Sequence, residues 1–149
     1  MYKHILVPTD GSELANRGVT AAVELAKSLS AKITLLHAVE PFNAAFTSPD
    51  GAWIGGAELY SQIEAAQTEN AEKILQKASQ TVAASGVLFE AVSTKESPPA
   101  DAIVKAAEEK GCDLIVIASH GRRGVSRMVL GSQTSEVLAH SKVPVLVIR

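Results

Sequence analysis

The stretch Asp113-Leu-Ile-Val-Ile-Ala-Ser-His-Gly-Arg-Arg-Gly-Val-Ser-Arg-Met-Val-Leu-Gly-Ser-Gln-Thr-Ser135 runs from an apolar segment through a glycine- and arginine-bearing loop into a helix start. Leu114 to Ile117 is apolar at every position, as a central parallel strand covered on both faces must be. Such a strand, followed by small residues and a helix, is the anatomy of an anion cradle. The first N–H groups of a helix lack intrahelical partners, and the helix dipole adds partial positive charge there. Gly121 and Gly131 supply close access, Ser132 can cap the helix or donate a hydroxyl, and Arg122, Arg123 and Arg127 supply countercharge. The plainer reading also stands: Gly121 and Gly124 turn the chain and Ser132 caps a helix.

Outward from this stretch, short β-branched runs alternate with longer segments of helical period, which predicts an α/β fold with a parallel sheet covered by helices. The strands are expected at 4–8, 31–39, 87–93, 113–118 and 143–148. Between them, Ala15, Gly18, Val19, Ala22, Leu25, Ala26 and Leu29 share one face of a helix over 12–29. Tyr60, Ile63, Gln67, Ala71, Ile74, Leu75, Ala78 and Val82 mark a longer second helix closed by Gly86. Ser97 is expected to cap a third with Pro98 in its first turn, and Gly111 to end it; the fourth spans 132–140. No repeat or linker interrupts the pattern, so residues 1–149 are expected to form one domain. Residues 40–57 are a long connection without periodicity, in which Phe42, Phe46 and Trp53 either form a flap or cover an edge of the core.

Composition narrows the function. The chain has 149 residues, 46% hydrophobic and 20% charged, in the range of a soluble globular protein. A net charge of −2 and a pI near 6.1 argue against a general binder of nucleic acid or anionic membranes. The lone Cys112 excludes an internal disulfide and a multi-cysteine metal site, and reads as an inert apolar side chain. There is neither a signal-peptide pattern nor a membrane-length apolar run, so the expected location is the cytoplasm. The P-loop, the dinucleotide fingerprint, the hydrolase elbow and closely spaced histidine pairs are all missing.

In an open parallel sheet, ligands bind at the C-terminal strand ends where the strand order reverses. Here those ends carry Pro8-Thr9-Asp10, His37-Ala38-Val39 and Ile117-Ala118-Ser119-His120-Gly121. If the first and fourth strands are neighbours, Asp10, the Ala38 backbone and the glycine loop face one crevice. A carboxylate there accepts from ribose hydroxyls, and backbone N–H and C=O can read an adenine edge. Asp10 has an alternative as a helix N-cap, with Glu13 three residues on as its capping-box partner. His4 and His37 read as packing or edge residues on strands, His140 as a residue interacting with its helix end, and His120 as a positional or hydrogen-bonding residue.

With these residues in view, the chain resembles the universal stress protein family, nucleotide-binding branch, from Lys3-His-Ile-Leu-Val-Pro-Thr-Asp10 through Leu35-Leu-His-Ala38 to Pro144-Val-Leu-Val-Ile148. That branch has a glycine, two residues, a glycine, nine residues, then glycine and serine or threonine. The counterpart here starts at Ala118, passes Ser119 and His120 to Gly121, counts nine residues to Leu130 and closes at Gly131-Ser132. Ala118 stands where the family has glycine, adding a methyl where the backbone is expected to pass the ribose. The resemblance implies a Rossmann-like five-stranded sheet in order 3-2-1-4-5 with helices on both faces, ATP, with or without Mg²⁺, as the bound cofactor, and a homodimer built through the last strand. Asp10 is implied as ribose partner and Ala38 as adenine reader, with Pro8 and Thr9 beside them. Gly121, Gly131, Ser132 and Gln133 are implied as phosphate cradle, and Ile117, Ala118, Ser119, His120, Arg123 and Thr134 complete the lining. The implied function is an ATP-binding stress-response regulator with little or slow hydrolysis. Two alternatives remain: a nucleotide-free dimeric adaptor, and an ATPase or phosphotransfer switch in which Asp10 holds Mg²⁺ and His120 orients water.

Overall fold

A computed structural model describes residues 1–39, 50, 55–95, 98–120 and 130–149. The elements run β1 (His4–Pro8), α1 (Glu13–Leu29), β2 (Lys32–Ala38), α2 (Gly56–Ala83), β3 (Phe89–Thr94), α3 (Pro99–Glu109), β4 (Leu114–Ala118), α4 (Ser132–His140) and β5 (Val145–Ile148). All strand pairs are parallel and the sheet order is β3-β2-β1-β4-β5, as expected. Phe42, Phe46, Trp53, Ser97, Gly121, Arg122, Arg123, Gly124 and Arg127 lie outside the described residues.

Side-chain alternation sorts each strand into two cores. Ile5, Val7, Ile33, Leu35, Leu114 and Val116 pack with Val19 and Ala22 of α1 and with Ala78 and Val82 of α2. Leu6, Leu36, Ile115 and Ile117 pack on the other face with Ile103 and Ala107 of α3 and Val137 of α4. The central strands β1 and β4 are buried nearly throughout, which is why their sequences read as continuous apolar runs. The apolar stripe of α2 is buried only from Ala71 to Val82, and Tyr60 is exposed. The 28 residues of α2 span about 42 Å at 1.5 Å per residue, whereas the seven of β2 span about 23 Å. The helix therefore outruns the sheet it covers.

Several element ends differ from expectation. The third strand starts at Phe89 and the fifth at Val145, each two residues later than its apolar pattern. Pro98 is the N-cap of α3 and Pro99 its first residue, one position beyond the predicted start. Asp10 does not cap α1: Ser12 does, its Oγ accepting the Ala15 N–H at 3.1 Å, while Glu13 pairs with Arg17 at the surface. Nor does Ser132 cap α4, whose N-cap is Gly131.

At the N-terminal end of the sheet, His4 is buried beside Thr34. His4 Nε2 lies 2.7 Å from the Thr34 hydroxyl, which donates to Glu90 Oε1 at 3.0 Å. Lys110 completes the chain by donating to Glu90 Oε2 at 2.9 Å. Asp113 accepts from the backbone N–H groups of Lys3 and His4, tying β1 to the start of β4. Burial pushes the His4 imidazole below its ordinary range, and Lys32 adds to this against the opposing pull of Glu90 and Asp113. Cys112, buried nearby, has its thiol pushed up to about 11, mainly by desolvation, which makes it the inert side chain its sequence context suggests. Among the described residues, no helix is long and apolar enough to cross a membrane.

Candidate functional site

At the opposite, C-terminal end of the strands the sheet opens between β1 and β4. Pairing of β1 with β2 continues to Pro8 and Leu36, and β4 with β5 to Ala118 and Ile148. Pairing of β1 with β4 is confined to Ile5 with Leu114 and Leu6 with Ile115. The cause is legible in the backbone. The His4 carbonyl accepts from Asp113 N on the β4 side, whereas Thr9 N donates to Leu36 O on the β2 side, so even-numbered residues of β1 address β4. Pro8 is the next such residue, and it has no N–H to continue the ladder. The strands part at the point where the strand order reverses.

Beyond Pro8 the chain turns through Gly11, whose φ of +77° is a left-handed conformation suited to glycine. Asp10 is held in this turn by Ser12 N, which donates to its Oδ1 at 2.9 Å, and Gly11 N donates to Thr9 Oγ1 at 3.2 Å. The carboxylate that the sequence left between cap and ribose partner is thus fixed in the turn that follows β1. Across from it, Ala38 is the last residue of β2 and half-buried.

The far wall is built by β4 and α4. Ser119 N donates to the Ile148 carbonyl at 2.7 Å, and the Thr134 hydroxyl donates to the Ala118 carbonyl at 2.9 Å, fastening α4 to the end of β4. Gly131 N donates to Ser119 O at 2.8 Å, bringing the N-terminus of α4 against Ser119 and His120. A Cβ at Gly131 would lie 3.1 Å from His120 Cα and Cβ and 3.2 Å from Ser119 O. Glycine is needed there for backbone approach, since its φ of −61° is open to any residue. Alternation places Ala118 with Leu114 and Val116 on the face covered by α1, and a Cβ on Gly18 of α1 would lie 3.7 Å from Ala118 N.

Gln133 and His120, like Asp10 and Thr134, have partners within the fold. Gln133 Oε1 accepts from Ala100 N at 2.8 Å, so this side chain caps α3, whose own N-cap Pro98 offers none. His120 Nδ1 lies 3.0 Å from Ser119 Oγ, so a hydroxyl orients the ring. Ser132 is exposed in the first turn of α4 and Thr134 is buried. Sequence reasoning missed His37, which is buried with its Nδ1 2.8 Å from the Thr9 carbonyl. Among the described residues no cluster of three or more His, Cys, Asp or Glu could hold a metal ion. The arrangement offers a carboxylate, open strand backbone and a helix N-terminus around one opening, a combination suited to holding a sugar, a heterocycle and an anion.

A family model described as the universal stress protein family matches residues 1–149. The universal stress protein YxiE of Bacillus subtilis is 33% identical over 149 residues, covering all of both chains. The structure of the universal stress protein UspA from Lactobacillus plantarum resembles this one with a TM-score of 0.82 at 29% identity, covering 99% of this chain and 98% of that one. A universal stress protein solved in complex with cAMP gives a TM-score of 0.64 at 27% identity, over 99% and 97% of the two chains. With its entire length matched and its sheet in the expected order, the chain belongs to the universal stress protein family.

Proposed function

We propose that the protein is an ATP-binding regulatory module of the stress response, one domain acting as a homodimer in the cytoplasm, with little or slow hydrolysis. The observation that carries this reading is the parting of β1 and β4 at Pro8, at the end of the sheet where α4 begins. ATP fits the groups around that opening. Asp10 takes the ribose hydroxyls, Ala38 offers backbone to the adenine edge, and the N–H groups at Gly131 and Ser132 take phosphate oxygens with help from the α4 dipole. The close approach at Gly131, which a Cβ would fill, is the feature such a cradle needs. Gly121 and Arg123 belong to the same proposed set. Any Mg²⁺ would be carried by the phosphates, with Asp10 as its proposed carboxylate partner. Phosphoryl transfer needs an activated nucleophile, and His120 is oriented by a hydroxyl where a strong general base would have a carboxylate, which favours binding over turnover. The cAMP complex of a relative at 27% identity supports an adenine nucleotide as the ligand class.

The homodimer is proposed through β5, which among the described residues is an edge strand beside β4. Val145 and Val147 pack on the core beneath α3 and α4, whereas Leu146 is 42% exposed, so Leu146 is the apolar side chain available at that edge. Pairing two such strands about a two-fold axis satisfies their outward backbone groups and closes the assembly. Calorimetric titration with ATP tests the nucleotide reading: saturable binding is expected, lost in Gly131→Val, and unchanged binding in that variant would place the site elsewhere.

A further inference from the structure

The backbone of β2 carries an interrupted rung beside the proposed adenine position. On β2, even-numbered residues address β1, as the bond from Thr9 N to Leu36 O shows, and odd-numbered residues address β3, as does Val39 N in donating to Thr94 O. The next rung toward β1 would run from Ala38 N to the Thr9 carbonyl. The Thr9 carbonyl instead has His37 Nδ1 at 2.8 Å, and no Ala38 rung is formed among the described residues. A carbonyl only accepts, so Nδ1 carries the proton and this imidazole is the donor. His37 is buried at 8% exposure and Thr9 at 5%, so the bond is shielded from water.

We propose that His37 is a positioning residue whose ring occupies the Thr9 carbonyl and thereby holds the Ala38 N–H open for the base of the nucleotide. The inference rests on the nucleotide reading above and deepens it by assigning what keeps the adenine-reading edge unpaired. Two physical effects combine. The imidazole satisfies a buried carbonyl that would otherwise draw the nearest N–H. It also ties the turn bearing Asp10 to the end of β2, so ribose and base contacts are set by one hydrogen bond. Removing the donor while keeping the bulk frees the Thr9 carbonyl to take the Ala38 N–H, closing the rung and removing the donor that an adenine ring nitrogen needs.

His37→Leu removes the donor and keeps an apolar body in the core. His37→Asn is the rescue, because its Nδ2 sits one bond from Cγ, as Nδ1 does. Amide hydrogen exchange on the unliganded protein is read together with calorimetry using ATP, adenosine and inorganic triphosphate, and thermal unfolding confirms that each variant is folded. In the wild type the Ala38 amide should exchange at least tenfold faster than that of Val39. In His37→Leu it should slow at least tenfold, adenosine affinity should fall at least tenfold, and triphosphate affinity should stay within twofold. His37→Asn should move both readouts back toward wild type. A protected Ala38 amide in the wild type, unchanged adenosine affinity in His37→Leu, equal losses in the Leu and Asn variants, or a matching loss of triphosphate binding would each overturn the assignment. If the wild type binds ATP, such a result overturns His37 alone; if it binds no ATP, the nucleotide reading falls and the adenine role of His37 with it.

Discussion

Replacing Gly131 by serine sets two effects of opposite sign against each other. Gly131 is the N-cap of α4 and makes no side-chain cap bond, so by capping preference alone serine should stabilise the helix. That gain is small, a few tenths of a kcal/mol for serine over glycine. Against it, the added Cβ would lie 3.1 Å from both Cα and Cβ of His120 and 3.2 Å from Ser119 O. Carbon atoms in contact prefer about 3.5–4.0 Å, and these neighbours are backbone or next to it, so they yield only if the end of β4 shifts away from α4. Overpacking of this kind costs about 1–3 kcal/mol. The backbone at Gly131, with φ −61° and ψ 148°, suits serine, so no strain term enters. The net expectation is a loss of about 1–2 kcal/mol, together with the Gly131 N to Ser119 O bond that shapes the cradle. Urea unfolding followed by circular dichroism measures it, with the midpoint falling and the slope unchanged. A Gly131→Ser protein as stable as the wild type, or more so, would refute the steric argument and leave capping in charge.

Other consequences are equally open to measurement. Pro8→Ala supplies the N–H that β1 lacks toward β4; the strands should pair one rung further, with stability unchanged or higher by up to about 1 kcal/mol and ATP affinity reduced, and undiminished ATP binding would remove Pro8 as the cause of the opening. Gln133→Ala leaves Ala100 N without its acceptor and should cost about 1 kcal/mol by equilibrium unfolding; a neutral result would show that this cap carries no stability. For His4, the folded protein takes up its proton at a lower pH than the unfolded chain, whose value is near 6.5. As pH falls below that value the unfolded state binds more protons and stability declines, until the lower folded value is reached. Unfolding curves of wild type and His4→Gln should therefore diverge in slope on the acid side of pH 6.5, and parallel curves would contradict the burial argument. Leu146→Lys should convert a sedimenting dimer to monomer with the fold intact, whereas a wild-type monomer at micromolar concentration would dispose of the β5 interface.

The architecture was legible because its determinants are local and periodic. Runs such as Leu114 to Ile117 announce strands buried on both faces, and the three-and-four spacing of Ala15, Val19, Ala22 and Ala26 marks the face of α1 that packs on the sheet. The start of α4 was visible in Gly131-Ser132. What escaped depends on partners distant in sequence. The sequence offered Asp10 as a cap of α1, whereas the Oγ bond to Ala15 N makes Ser12 the cap. The resemblance implied a cradle role for Gln133, while its bond to Ala100, 33 positions away, has no local signal in the sequence. His37 gave only an apolar strand context, since its role lies in a carbonyl on the neighbouring strand. Pro8 could be read as a strand end, but its effect emerges only once Asp113 N and Leu36 O reveal which side of β1 its missing N–H would face.

The central claim is that one crevice joins Asp10, Ala38 and the start of α4 in holding an adenine nucleotide. Titration of the isotopically labelled protein with ATP, followed through its backbone amide resonances, tests all three contacts together. The prediction is saturable shifts concentrated at Asp10, Ala38, Gly131 and Ser132, with residues at the other end of the sheet, such as His4 and Asp113, unmoved. Shifts clustered away from those residues, or none at saturating ATP, would contradict it.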